Sequence, residues 1–173
     1  MRVCFVASEV APFAKTGGLA DVSGALPKYL QLNGCDLRVF MPFYDVIDRS
    51  KWEFRVVDFL QGISIRIGER THIVNVYTTK LPGSEVDVYF IDAPALYNRG
   101  SIYTDADDEY LRFLLLSQAA IQCCQYMGWA PDIVHCNDWQ TALIPLLLRT
   151  VFHWDALFRS TRTVLTIHNI AYQ

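Results

Sequence analysis

The first forty residues are compatible with very few folds. Residues 3–7 form a short, continuous apolar run, which is typical of a strand buried on both faces. Apolar residues then recur at helical spacing from Leu19 to about Leu32, and Asn33 and Gly34 predict the end of that helix. A second apolar strand is predicted over residues 37–41. The order strand, helix, strand predicts a parallel βαβ unit.

The middle of the chain has a different pattern. Between residues 54 and 92 the apolar residues alternate with polar ones in short runs, and we predict strands over 63–67, 72–78 and 86–91. Gly68 separates the first two of these strands, and Pro82 and Gly83 precede the third. This segment therefore predicts a β-hairpin insertion followed by a strand that returns to the main sheet.

The last third resumes the alternation of helices and strands. Helical patterns over 108–127 and 139–150 alternate with predicted strands over 133–135 and 163–167. We therefore expect an α/β fold with an open, mostly parallel, Rossmann-like sheet and helices on both faces. Because the sequence stops at Gln173, soon after a strand, we expect residues 1–173 to be a single, truncated domain.

Composition excludes several function classes. The net charge is −3 and the basic residues form no cluster, which argues against a nucleic-acid partner. No apolar run is long enough for a membrane span, so no membrane partner is expected. The five cysteines lack a CxxC spacing and mostly lie in apolar segments, which indicates buried thiols in a reducing, cytoplasmic compartment. We predict no metal site and no cofactor.

The loop after the first strand contains the first candidate site. In open α/β sheets ligands bind beyond the carboxyl ends of the strands, and here Glu9, Lys15, Gly17 and Gly18 follow the strand, with Asp21 one turn into the helix. Glycine amides at a helix N-terminus beside a lysine make a plausible phosphate or sugar-phosphate site. The alternative is that the glycines only form a tight turn and the lysine is solvated.

Two later strand ends direct further polar residues to the same edge. Asp138 follows the strand near residue 133, and His168 and Asn169 follow the strand near residue 164. Their convergence favours a binding site. The alternatives are that Asp138 is the N-cap of a helix that begins near Trp139, a role compatible with a site, and that His168 is a hydrogen-bonded core histidine. The acidic residues at 105–109 are interpreted as charges that stabilise a helix N-terminus.

Three stretches resemble the bacterial glycogen synthase and starch synthase family, glycosyltransferase family 5. They are RVCFVASEVAPFAKTGGLADVSGALPKYL, which contains the Lys-Thr-Gly-Gly-Leu signature at residues 15–19, VHCNDWQTALIP and LTIHNIAYQ. The resemblance covers essentially the whole chain. It departs from the family pattern at residues 137–140, where many relatives are expected to have HDWH and this chain has NDWQ.

The resemblance implies the N-terminal domain of a two-domain GT-B glycosyltransferase whose C-terminal nucleotide-binding domain is absent here. It implies transfer of glucose from ADP-glucose to the 4-hydroxyl of an α-1,4-glucan with retention, and it implies that the isolated domain is inactive. Two residues, His168 and Asp138, are assigned to the catalytic centre by the resemblance. Six are assigned to substrate binding: Lys15, Gly17, Gly18, Asp21, Asn169 and Tyr97.

Two rival functions remain open from the sequence. One is a carbohydrate- or nucleotide-binding Rossmann-like module without turnover, and the other is a different GT-B glycosyltransferase.

Overall fold

The computed structural model describes residues 1–172, the last of them by its backbone alone, so Gln173 of the predicted domain lies outside the described residues. Within this range the chain forms a mixed, mostly parallel sheet. Its eight strands are β1 (Arg2–Val6), β2 (Asp36–Pro42), β3 (Arg55–Val56), β4 (Ile63–Ile67), β5 (Arg70–Lys80), β6 (Asp87–Asp92), β7 (Ile133–Asn137) and β8 (Arg162–Thr166). Their order across the sheet is β3-β5-β6-β2-β1-β7-β8, and β4 pairs with β5 outside this path.

The centre of the sheet is parallel. Strand β1 lies between β2 and β7, with Phe5 opposite Val39 on one side and His135 on the other. The side chains of Cys4, Phe5 and Val6 have no solvent exposure. A strand buried in this way requires cover on both faces, which explains its continuous apolar sequence.

Helices supply that cover. The helices are α1 (Gly18–Leu32), α2 (Pro94–Tyr97), α3 (Glu109–Tyr126) and α4 (Ile144–Arg149). Helix α1 connects β1 to its neighbour β2. Helix α3 connects β6 to β7, and this connection passes β2 and β1 and runs across the sheet in the opposite direction. Because such crossovers are right-handed, α1 and α3 lie on opposite faces, as predicted. No helix within residues 1–172 is both long enough and apolar enough to cross a membrane.

The predicted insertion is also confirmed. Strands β4 and β5 form an antiparallel hairpin with Ile63 opposite Val74, and Gly68 in its turn has a φ of 60°. Strand β5 then pairs antiparallel with β6, which returns to the main sheet parallel to β2.

The helix predicted over 139–150 is interrupted. Residues Trp139–Thr141 form a 3-10 turn, and α4 begins only at Ile144 with Pro145 in its first turn. Proline has no N–H to donate to the preceding turn, so it begins a helix more readily than it continues one. The Thr141 hydroxyl also donates to the Asn137 carbonyl at 2.9 Å, which fixes the 3-10 turn against the end of β7.

Candidate active site

The polar strand ends meet at a pocket of about 690 Å³. Gly17, Gly18, Asp138, His168 and Asn169, all predicted from the sequence, line it. They come from the loops after β1, β7 and β8, which are neighbours in the sheet. Parallel neighbours end at the same edge, so the fold alone brings these three loops together.

The two glycines leave the N-terminus of α1 open. A Cβ built on Gly17 or Gly18 meets no atom within 4 Å, and Gly17 has extended backbone with a φ of −145°. Neither a tight turn nor close packing therefore requires glycine at these positions. Since the first amides of a helix lack partners within the helix, this end offers N–H groups and space to an anion.

Gly24, one turn and a half further along α1, is different. A Cβ there would lie 2.6 Å from the carbonyl oxygen of Ala11. This glycine is required by close packing between the helix and the preceding loop.

Glu9 holds the loop that leads into α1. Its side chain is almost fully buried, and its carboxylate accepts hydrogen bonds from the backbone N–H of Thr16, the hydroxyl of Thr16 at 2.8 Å and the N–H of Gly17 at 3.2 Å. Tyr103 donates a fourth hydrogen bond at 2.6 Å. A buried carboxylate is tolerated only when its oxygens are paired in this way, so the loop and the carboxylate fix each other.

Tyr103 was missed by the sequence analysis. Its ring lines the pocket, and burial together with its hydrogen bond to Glu9 raises the pKa of the phenol. It therefore remains a neutral donor to Glu9. The two residues are 94 positions apart, and no local pattern connects them.

Lys15 and Asp21 lie beside the pocket and are not among the residues that line it. The Lys15 ammonium forms an ion pair with Asp21 at 2.6 Å, and both side chains are more than half exposed. An exposed pair of this kind contributes about 1 kcal/mol or less, so a phosphate group could replace the Asp21 carboxylate at little cost.

Asp138 occupies the N-cap position of the 3-10 turn, but its carboxylate does not cap that turn. Its side chain makes no capping hydrogen bond, and instead Oδ1 accepts from the backbone N–H of His168 at 2.6 Å and of Asn169 at 3.3 Å. Its φ of 55° is unusual for a residue with a side chain and turns the carboxylate towards the loop after β8. Strained backbone of this kind is concentrated at functional sites.

Both the backbone and the ring of His168 are fixed by hydrogen bonds. Its backbone N–H donates to Asp138, and its ring Nε2 lies 2.9 Å from the side-chain oxygen of Asn137. Beside it, His135 Nε2 lies 2.7 Å from the hydroxyl of Thr166. Burial lowers the pKa of His135, and the nearby charge of His168 lowers it further.

Tyr97, which the family resemblance assigns to substrate binding, is not among the residues that line the pocket. Its side chain is fully buried, and its hydroxyl donates to the carbonyl of Arg112 at 2.9 Å. Burial raises the pKa of this phenol. Helix α2 turns the ring into the core against α3, so Tyr97 stabilises the fold.

The acidic segment at 105–109 has two roles. Glu109 lies in the first turn of α3 as predicted, where it accepts from the N–H of Thr104 at 3.1 Å and pairs with Arg112 at 2.8 Å. Asp105 and Glu109 also line the pocket, a position that no pattern in the sequence indicates. Within residues 1–172 no group of three or more His, Cys, Asp or Glu side chains is arranged to hold a metal ion.

Comparison with known proteins gives a consistent result. The family model described as the starch synthase catalytic domain matches residues 2–173. Over 173 residues the chain is 46% identical to a glycogen synthase of Streptococcus equi subsp. zooepidemicus, covering 100% of this chain and 35% of that protein. It is 39% identical over 175 residues to a glycogen synthase of Thermotoga maritima, covering 100% of this chain and 36% of that protein.

A solved structure gives the same assignment. The catalytic domain of Starch Synthase IV from Arabidopsis thaliana, bound to ADP and acarbose, superposes with a TM-score of 0.88 at 32% identity, over 99% of this chain and 34% of that one. This chain thus spans about a third of the length of the relatives it matches. The fold, the family match and the identity over its whole length show that the chain belongs to the starch synthase catalytic domain family.

Proposed function

We propose that the protein containing this chain transfers glucose from ADP-glucose to the non-reducing 4-hydroxyl of an α-1,4-glucan with retention of configuration. In this reaction the bond between the glucose anomeric carbon and the diphosphate breaks, and ADP leaves with the bonding electrons. A bond forms from the same carbon to the acceptor 4-oxygen, and the proton of that hydroxyl passes to the departing phosphate oxygen of ADP.

The open N-terminus of α1 is the observation that carries the proposal. Gly17 and Gly18 line the pocket with free space where side chains would stand, and neither glycine is needed for backbone conformation or packing. That arrangement suits an anion that approaches the backbone closely, such as the diphosphate of a nucleotide sugar. Departure of ADP develops negative charge, and a fixed donor at that place lowers the barrier.

The other site residues have distinct proposed roles. Lys15 exchanges Asp21 for a phosphate oxygen when the donor binds. Asp138 holds the backbone of His168 and Asn169 at the pocket, and its carboxylate thereby positions the groups that meet the glucose unit. Precise positioning of this kind contributes strongly to group-transfer rates.

The donor and acceptor are proposed from the relatives. The Arabidopsis protein is described with ADP and acarbose bound, and the bacterial relatives are glycogen synthases. We further propose that a C-terminal domain of the same protein completes the nucleotide site, that the isolated chain is inactive, and that the protein is cytoplasmic. The covered share of the relatives and the free, mostly buried cysteines support these points.

The test is incorporation of labelled glucose into glycogen by the full-length protein, with ADP-glucose and UDP-glucose compared at equal concentration. Lys15→Ala should abolish most incorporation from ADP-glucose. Lys28→Ala, a lysine of α1 that does not line the pocket, serves as the matched control and should retain it.

Two incorporation results would overturn different parts of the proposal. Preference for UDP-glucose would overturn the donor assignment alone. No incorporation from either donor, with binding of ADP retained, would favour a binding module without turnover.

A further inference from the structure

Asn137 ends strand β7 and lies directly behind the pocket. Its side chain has no solvent exposure, and its amide nitrogen donates to the carbonyl oxygens of Val6 at 3.0 Å and His135 at 3.4 Å. Carbonyl oxygens can only accept hydrogen bonds, so the NH₂ group must face them. The orientation of the Asn137 amide is therefore fixed by the backbone of β1 and β7.

This orientation determines where the proton of His168 resides. The amide oxygen of Asn137 lies 2.9 Å from Nε2 of His168 and can only accept. Nε2 must therefore carry a hydrogen, and in the neutral imidazole Nδ1 is then an acceptor. Among the residues whose side chains the structure describes, 1–171, no hydrogen bond to Nδ1 of His168 is present, and His168 lines the pocket.

We infer that Asn137 is a positioning residue that holds His168 in the Nε2–H tautomer, so that Nδ1 accepts a hydrogen bond from a hydroxyl group of the bound sugar. The inference rests on the proposed function for the identity of the ligand. The tautomer itself follows from the contacts of Asn137 alone. Asn137 acts through His168 and does not line the pocket.

The tautomer is measured directly by NMR of the full-length protein labelled with ¹⁵N-histidine. The ring signals of His168 are assigned by their loss in His168→Gln. We expect the Nε2–H tautomer for the neutral ring in the unmodified protein, and a mixture containing Nδ1–H in Asn137→Leu. Asn137→Asp retains an oxygen acceptor and should restore Nε2–H. An Nδ1–H ring in the unmodified protein, or an unchanged tautomer in Asn137→Leu, overturns the inference.

Kinetics supply the second readout. Asn137→Leu should lower kcat/KM for glucose transfer about tenfold, as expected for one lost hydrogen bond, and Asn137→Asp should recover part of it. The matched control is Asn75→Leu, which removes the bond from Gly62 N–H to an asparagine in the hairpin at 2.9 Å. It should leave both tautomer and kinetics unchanged.

The outcomes separate the two proposals. If Asn137→Leu does not fold, Asn137→Ser removes the same acceptor and carries the same test. Equal losses in Asn137→Leu and Asn75→Leu would overturn the positioning role. If the unmodified protein transfers no glucose, the proposed function fails, whereas the tautomer is still decided by NMR.

Discussion

Two glycines of α1 should respond to the same substitution in opposite ways. At Gly18 a methyl group meets nothing within 4 Å, and alanine favours helix formation by up to about 1 kcal/mol. At Gly24 the methyl carbon would lie 2.6 Å from a backbone oxygen, and overpacking of this kind costs about 1–3 kcal/mol. Gly18→Ala should therefore be as stable as the unmodified protein or slightly more stable, and Gly24→Ala should be less stable.

The effect on kcat/KM should be the reverse, with the larger loss in Gly18→Ala and the smaller loss in Gly24→Ala. A methyl group at Gly18 occupies pocket space at the helix N-terminus and keeps a phosphate oxygen from its amide donors. Hydrogen bonds to charged groups contribute about 1.5–3 kcal/mol, so losing one predicts a fall of about ten- to a hundredfold in kcat/KM for ADP-glucose. Gly24→Ala, measured well below its melting temperature, should keep kcat/KM close to the unmodified value.

The assay is glucose incorporation at varied ADP-glucose concentration, with the free energy of unfolding taken from urea titration of the same samples. If Gly18→Ala keeps kcat/KM within about twofold of the unmodified value, the open end of α1 is not the phosphate site. Destabilisation of Gly18→Ala equal to that of Gly24→Ala would refute the packing comparison.

Glu9→Gln places an NH₂ group opposite N–H and hydroxyl donors, so kcat/KM should fall about tenfold in steady-state assays. Tyr103→Phe removes only one donor to Glu9 and should lower kcat/KM less. The pKa of His135 is lower in the folded protein than in the unfolded chain. Its contribution to the free energy of unfolding is therefore complete above pH about 6.5 and is lost as the pH falls below that value. The melting temperatures at pH 7.5 and pH 5.5 should differ less in His135→Gln than in the unmodified protein. Arg112→Met removes a fully buried cation from its pair with Glu109 and should cost about 3 kcal/mol in urea unfolding, and a loss below 1 kcal/mol would contradict the burial argument.

The strands and long helices could be predicted because each is encoded by neighbouring residues. Apolar runs gave the central strands, and helical spacing gave α1 and α3 to within about two residues at most ends. Parallel strands that alternate with helices then leave their carboxyl ends at one edge, so the convergence of Gly17, Asp138 and His168 was predictable as well.

What the sequence alone determined, then, is the order of elements, the edge at which the site lies and the family resemblance. The tertiary structure decided which partner each polar group has. The carboxylate of Asp138 binds the loop after β8 instead of capping a helix, the ring of Tyr97 packs inwards, and Glu9 meets Tyr103 from 94 residues away. These partners are set by distances between residues that are far apart in the chain, and local periodicity in the sequence contains no information about those distances.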